Sequence, residues 1–404
     1  MKQGWEVKKI SQMFNVKSSH RVHQSDWQSI GIPFYRAREV VKLARDGIVE
    51  NELFISQELY DKFTQEKGAP KAGDIIVSAV GTLGQCYLVK DSDKFYFKDA
   101  SVLWFENLGN INSKYAEYAF KSDLIMKQVM NGSMGATVGT LTIGRAKDIE
   151  IPVPPLPEQE RIVSILDKAF SAIDQAKQNA EKNLKNAKEL FDSYLNGIFT
   201  NKGEDWEGNI LEEVAEENCS LSYGIVQPGE DYPYGLHIVR PTDLTKLYIR
   251  LDGLKRIDPK LADGYKRTKL IGDELLLCVR GTTGLVSIAT LEIQGGNVTR
   301  GIVPIRFNSK LVSQEFGYYL LISNYVQKQI IDKTYGTALM QINIGDLRNV
   351  LTTYPSLKKQ QTIVRQLDNM RAETKNLEEI YQQKIIELED LKKSILQKAF
   401  NGEL

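Results

Sequence analysis

The second half of this chain repeats the first. Trp5-Glu6 returns as Trp206-Glu207, GATV from Gly135 as GTAL from Gly336, and LPEQERIV from Leu156 as LKKQQTIV from Leu357, each 201 positions later. Between these anchors PFYRAREV (Pro33 to Val40) matches HIVRPTDL (His237 to Leu244), which sets Arg36 against Arg240 at a shift of 204. GDIIVSAVGTLG from Gly73 matches GDELLLCVRGTTG from Gly272, with one inserted residue. Any one such word can arise by chance, but a colinear series in one order cannot. The chain must therefore fold as two similar domains, each followed by a similar tail.

Each tail reads as a long helix launched from prolines. Pro157 suits a first helical position, where its missing N–H costs nothing, and Glu158 and Glu160 favour the positive end of the helix dipole. From there Ile162, Leu166, Ala169, Ile173, Ala176, Ala180, Leu184, Ala187, Phe191, Tyr194 and Ile198 recur in steps of three and four. That is a heptad seam with one stutter between Ala180 and Leu184. The same seam shifted by 201 gives Ile363, Leu367, Met370, Leu377, Tyr381, Ile385, Leu388, Ile395 and Ala399. Only Thr374 and Lys392 break it, and Leu391 is expected to cover the second gap.

Two matched seams in one chain predict that the helices pack on each other as a coiled coil. Connectivity makes the pair antiparallel, with a pseudo-twofold internal repeat. A helix of about 42 residues runs roughly 60 Å at 1.5 Å per residue. The expected layout is therefore a globular domain over 1–150, a central spacer helix over 151–200, a second domain over 201–355 and a C-terminal spacer helix over 356–404 that packs on the central one. Dimerisation with a second copy is the competing use of such a seam.

The globular halves mix short β-prone runs with polar turns. IIVSAV, GTLG and QCYLV read as a hairpin, and LLLCVR, GTTG and LVSIAT repeat it. A helix is expected to follow in each half, at SKYAEYAFKSDLIMKQVM and at SQEFGYYLLISNYVQKQI. The fold class is α+β twice over, two mixed α/β domains separated by an antiparallel coiled-coil pair.

Composition narrows the function by exclusion. Lysine plus arginine and aspartate plus glutamate number 52 each, so any basic surface must be local. Three widely spaced cysteines, Cys86, Cys219 and Cys278, fit neither a disulfide framework nor a zinc knuckle. His20, His23 and His237 supply no ligand set, so no metal is expected. No run approaches the ~20 apolar residues of a membrane span, and the expected location is the cytoplasm. The GT-G turns lack the lysine and helix start of a phosphate loop, and no GxxxxGK[ST], GxGxxG, HExxH or GxSxG is present. Pro154-Pro155 lacks the flanking residues of an amino-methyltransferase motif. No catalytic residue is expected, and a binder or scaffold is left.

The order FYRAREV, GDIIVSAVGTLG, GATVGTLTIGRAKDIEIPVPPLPEQERIV, repeated as IVRPTDL, GDELLLCVRGTTG, GTALMQINIGDLRNVLTTYPSLKKQQTIV, resembles the specificity subunits of type I restriction-modification enzymes. The ending ILQKAFNGEL is similar to that family's close. The resemblance spans the whole chain twice, with two departures: LTTYP replaces the expected proline cluster in the second copy, and ATVGTL is looser than GTALMQI. It implies two target recognition domains, each reading one part of a bipartite double-stranded DNA sequence, and helices that act as a ruler. It also implies docking of two methyltransferase subunits, which would bring S-adenosylmethionine and methylate adenine N6, and of restriction subunits. This chain would hold no cofactor of its own. Candidate DNA contacts are Arg36 and Arg38 after a strand, and Arg240 as the repeat mate of Arg36. Lys98, Asn297 and Arg300 are expected in polar loops, and Arg280 beside the GTTG turn. A structural ion pair is the competing role for Arg36. A recognition subunit of a type IIB-like system and a coiled-coil scaffold for protein partners are the alternatives.

Overall fold

The computed structural model describes residues 3–131, 139–219, 221–336 and 340–404. Of the matched words, GATV and most of GTAL lie outside them. The chain divides into two units, Met1–Glu181 with Gln383–Leu404, and Lys182–Gln382.

The first unit is built on a four-stranded antiparallel sheet in the order Phe14–Lys17, Val102–Asn107, Ile75–Ser78, Cys86–Leu88. Ile75, Val77, Leu103 and Phe105 turn one face to a core that also takes Tyr115, Phe120, Ile125 and Val129 from the helices behind it. A three-stranded sheet, Phe54–Ile55, Ile32–Tyr35 and Tyr96–Phe97, carries a second, aromatic-rich cluster around Phe34 and Tyr96. The second unit repeats this plan. Leu277 pairs with Val303 as Val77 pairs with Leu103, and Ile238 lies parallel to Asn297 as Phe34 lies parallel to Tyr96. The sheets differ at their edges. Ala215 and Phe307 keep only an isolated bridge where the first unit has a full strand pair, and Tyr248–Ile249 adds a parallel strand on the other side.

The GT-G words are hairpin turns, as their spacing predicts. Gly84 (φ +75°) and Gly284 (φ +98°) end them in the left-handed region, and an added Cβ would run into Met126 in one unit and Gln327 in the other. Glycine lets the turn lie directly on a helix. That helix departs from expectation. Each half has two helices in place of one, Ser113–Phe120 then Asp123–Asn131, and Gln314–Ile322 then Asn324–Asp332. The break falls on buried repeat mates, Ser122 and Ser323, whose hydroxyls donate to the carbonyls of Ala119 (2.6 Å) and Leu320 (2.7 Å). A serine bonded to its own preceding turn competes with the helix ladder.

The proline run is more than a stop. Glu150–Val153 forms an antiparallel strand with Glu6–Lys9, and Leu351–Tyr354 does the same with Glu207–Ile210. Pro152 faces Val7 in a two-stranded pair, where a residue without an N–H is tolerated. Each domain's end is thereby sewn to its beginning before the long helix starts. The helices run Leu156–Thr200 and Leu357–Asn401, 45 residues each.

The glutamine of each L-x-x-Q word anchors the helix start. Gln159 and Gln360 are almost wholly buried. Gln159 donates to the carbonyl of Pro154 (2.8 Å) and accepts from the backbone N–H of Asn112 (2.9 Å). Gln360 donates to Pro355 (2.8 Å) and Leu311 (2.7 Å) and accepts from the N–H of Ser313 (2.8 Å). About two turns further on, Asp167 accepts from Tyr118 and Asp368 from Tyr319.

Inside each unit the two long helices run antiparallel. In the first, Lys177 meets Glu389 (2.6 Å) and Asp174 meets Lys392 (2.8 Å), while Ile162, Leu166 and Ile173 are buried and Ile395 and Leu388 pack half-buried beside them. In the second, Ile363 and Leu367 are buried with Phe191 against them, and Arg371 lies 5.7 Å from the Phe191 ring. Leu184, Leu377 and Ile385 are half-buried. Thr374 is buried in the seam because its hydroxyl bonds back to the Met370 carbonyl (2.9 Å). Leu391 does not cover the gap at Lys392, being 47% exposed. Lys392 fills it, its ammonium 4.9 Å from the Phe170 ring, an apolar stem with a paired head.

Among the described residues no helix is long and apolar enough to cross a membrane, and no cluster of histidine, cysteine and carboxylate side chains is placed to hold a metal ion. The three cysteines are buried and unpaired, and burial pushes the Cys86 thiol up to about 12.

Candidate nucleic-acid interface

Arg36 and Arg240 occupy the same place in their units, one residue before the helical turn that follows a strand. Each spends its guanidinium there. Arg36 donates through Nε (3.1 Å) and Nη2 (2.9 Å) to Glu39, which also accepts from the Arg36 backbone N–H (2.9 Å). Arg240 makes the same three bonds to Asp243, at 3.1, 2.8 and 2.8 Å. The pattern caps the turn and holds the fork in place. Arg38 joins the first cluster by bonding Glu39 and Glu52. Burial opposes the charge on Glu39, yet the hydrogen bonds from Arg36 and Arg38 hold its carboxyl below the ordinary range. These arginines are committed within the unit.

Asn297 corrects the sequence reading outright. It lies in a strand and not a polar loop, is 1% exposed, and has its amide filled by Thr268 (2.7 Å), the Tyr265 carbonyl (3.0 Å) and its neighbour's N–H at Val298 (2.8 Å). It holds the fold together around its strand. Lys98 is half-buried just beyond the strand Tyr96–Phe97, its backbone N–H on the Tyr35 carbonyl (2.8 Å).

Arg280 and Arg300 are brought together. They line a recess of about 260 Å³ in the second unit with Tyr223, Tyr335, Gln341 and Asn343. Its frame is rigid. Arg280 and Gln341 form an antiparallel bridge, Gln341 and Tyr335 exchange both backbone bonds at 2.9 Å, and the Tyr223 hydroxyl donates to the Ile342 carbonyl (3.0 Å). The Tyr335 hydroxyl donates to Asn343 Oδ1 (2.5 Å). Among the described residues neither arginine has a carboxylate partner, and Arg280 Nε is buried with no hydrogen-bond partner. A buried guanidinium atom without an acceptor costs free energy until one arrives. Two arginines, two amides and two phenols around one opening suit the oxygen- and nitrogen-rich edges of nucleic acid.

Sequence reasoning found Arg280 and Arg300 but missed Tyr223, Tyr335, Gln341 and Asn343. The repeat held a usable signal. Ile143-Gly144 and Ile344-Gly345 agree at the start of equivalent helices, while the residues just before them, Thr140 and Thr142 against Gln341 and Asn343, do not. Thr142 caps its helix by accepting from the Arg145 N–H (3.3 Å) and Asn343 accepts from Tyr335, so the disagreement singles out Thr140 and Gln341.

The model of the type I restriction modification DNA specificity domain matches the chain twice, over residues 2–185 and 204–389, and the chain belongs to that family. Among curated relatives, the type I restriction enzyme EcoBI specificity subunit of Escherichia coli is 25% identical, over 98% of this chain and 84% of its own length. The putative MjaX specificity subunit of Methanocaldococcus jannaschii is 23% identical over 99% and 93%. Of solved structures, a chain from a study of complex assembly and conformational transition of the type I R-M system superposes with a TM-score of 0.75 at 19% identity, covering 100% of this chain and 99% of that one. The HsdS subunit from Thermoanaerobacter tengcongensis gives 0.63 at 18%, covering 100% and 98%. Those two likenesses speak for the fold.

Proposed function

We propose that this chain is the DNA-reading subunit of a type I restriction-modification enzyme, in which each unit reads one part of a bipartite target and the long helices set the gap between the parts. The observation that carries the reading is the double match of the specificity-domain model onto two units that repeat each other down to Gln159 and Gln360. A 45-residue helix spans about 68 Å at 1.5 Å per residue, long enough to serve as a ruler on duplex DNA. In this scheme two methyltransferase subunits dock on the chain and bring S-adenosylmethionine for transfer of a methyl group to adenine N6. Restriction subunits join to cut unmodified DNA. The chain itself recognises and positions, and the bond-making groups belong to its partners.

The test is a genome-wide map of N6-methyladenine in cells that carry the chain with its methyltransferase subunit, against cells from which the chain is deleted. A two-part motif with a constant gap that vanishes on deletion is expected. Methylation that persists without the chain removes the reading.

A further inference from the structure

The two units share a backbone at one place where their side chains have nothing in common. Val80 bridges Thr140 in the first unit as Arg280 bridges Gln341 in the second. The supporting bonds are the same on both sides. Ala79 N–H reaches the Ser101 carbonyl (2.9 Å) and Val279 N–H the Gly301 carbonyl (2.8 Å). Leu141 N–H reaches the Ala79 carbonyl (2.9 Å) and Ile342 N–H the Val279 carbonyl (3.1 Å). Ala100 and Arg300, the residues before Ser101 and Gly301, are then equivalent as well. Both Val80 and Arg280 precede the hairpin turn, and Ala100, Arg300 and Thr140 are exposed.

A backbone bridge that takes valine or arginine at one position, and threonine or glutamine at its partner, does not dictate those side chains. In the second unit the choice has a cost, the partnerless Arg280 Nε, and a neighbour of the same charge, Arg300, across the same recess. Two cations lining one recess repel, and a ligand with acceptor atoms relieves them both.

We infer that this bridge is the base-reading position of each unit, and that its side chains make the two half-sites unlike. The inference rests on the DNA-reading function proposed above. In the second unit Arg280 and Arg300 present forks of the kind that match guanine O6 and N7, and Gln341 presents an amide of the kind that matches adenine N6 and N7. That unit reads purine edges. In the first unit Val80, Ala100 and Thr140 offer methyl groups and a single hydroxyl. That set suits the thymine methyl in the major groove.

The experiment uses the full chain co-expressed with its methyltransferase subunit and reads every methylated adenine in the genome. Arg280→Ala should relax one or two adjacent base pairs in one half-site and lower methylation of the parent target roughly ten- to hundredfold relative to relaxed sites. The other half-site and the gap should stay as they were. Arg300→Ala, at an exposed side chain with no side-chain partner among the described residues, should relax the same half-site. The pair Val80→Arg with Thr140→Gln should change the opposite half-site instead. A uniform fall at all targets with both half-sites intact makes Arg280 a phosphate clamp and overturns the inference. So does relaxation by Arg300→Ala of the opposite half-site or of neither. Failure of the wider function looks different, since the unaltered chain would then give no bipartite motif at all.

Discussion

Gln360 is the side chain on which the second long helix hangs, and its removal has a calculable cost. Gln360→Met keeps the length and packing but strips both polar ends. It leaves the Leu311 and Pro355 carbonyls and the Ser313 N–H without partners, all three at the rim of a side chain with no exposed surface. An abandoned buried group costs about 1–3 kcal/mol, and taking the low end for each of the three gives about 3 kcal/mol. That corresponds to roughly a hundred- to two-hundredfold in the local opening equilibrium, at 1.36 kcal/mol per factor of ten. Hydrogen–deuterium exchange read by mass spectrometry reports it directly at the Ser313 amide and the first turn of Gln314–Ile322. Exchange there should quicken by that factor, while the Asn112 amide of the first unit, held by Gln159, keeps its rate. Gln159→Met should reverse the pattern. If Gln360→Met changes exchange at Ser313 by less than about threefold, the glutamine is a passenger and the explanation of the L-x-x-Q word fails.

Two further substitutions probe the seam and the caps. Thr374→Val removes a hydroxyl buried at a seam position and its bonds to the Met370 and Arg371 carbonyls, and should stabilise the second unit slightly in urea unfolding; a loss would mean that the back-bond holds the helix in place. Glu39 is held below its ordinary carboxyl value, so its ion pairs support the first unit at neutral pH and that support is lost as pH falls through the acid range. Glu39→Gln should therefore lower the melting temperature near pH 7 and leave it close to that of the parent near pH 3; a deficit that does not depend on pH would rule out the charge pairing as its cause.

The repeat and the seam were legible because both are periodic. A shift of 201 aligns buried glutamines, buried serines and tyrosine–aspartate pairs that no single copy would have marked out. The fold class followed from hairpin words and heptads. What stayed hidden depended on which neighbour each side chain finds. Nothing in FYRAREV says that Arg36 turns back on Glu39 three residues later, or that Arg240 copies it with the shorter Asp243. Asn297 reads as a loop residue because its polar ends are satisfied by Thr268 and Tyr265, distant in sequence. The split helices were hidden too, because Ser122 and Ser323 break an apolar period only by bonding their own preceding turn. Leu391 misled for a simpler reason, since apolar character was weighed above the reach of the Lys392 stem.

The ruler is tested by lengthening it. Seven helical residues placed after Glu181 and seven after Gln382 keep the heptad phase and leave the contacts within each unit untouched. They add about 10.5 Å of helix at 1.5 Å per residue, or roughly three base pairs at 3.4 Å. The measurement is the gap in the methylated motif of cells carrying the lengthened chain. A ruler gives the same two half-sites with a gap about three base pairs longer. The same half-sites at an unchanged gap would mean that the helices do not set the distance between them.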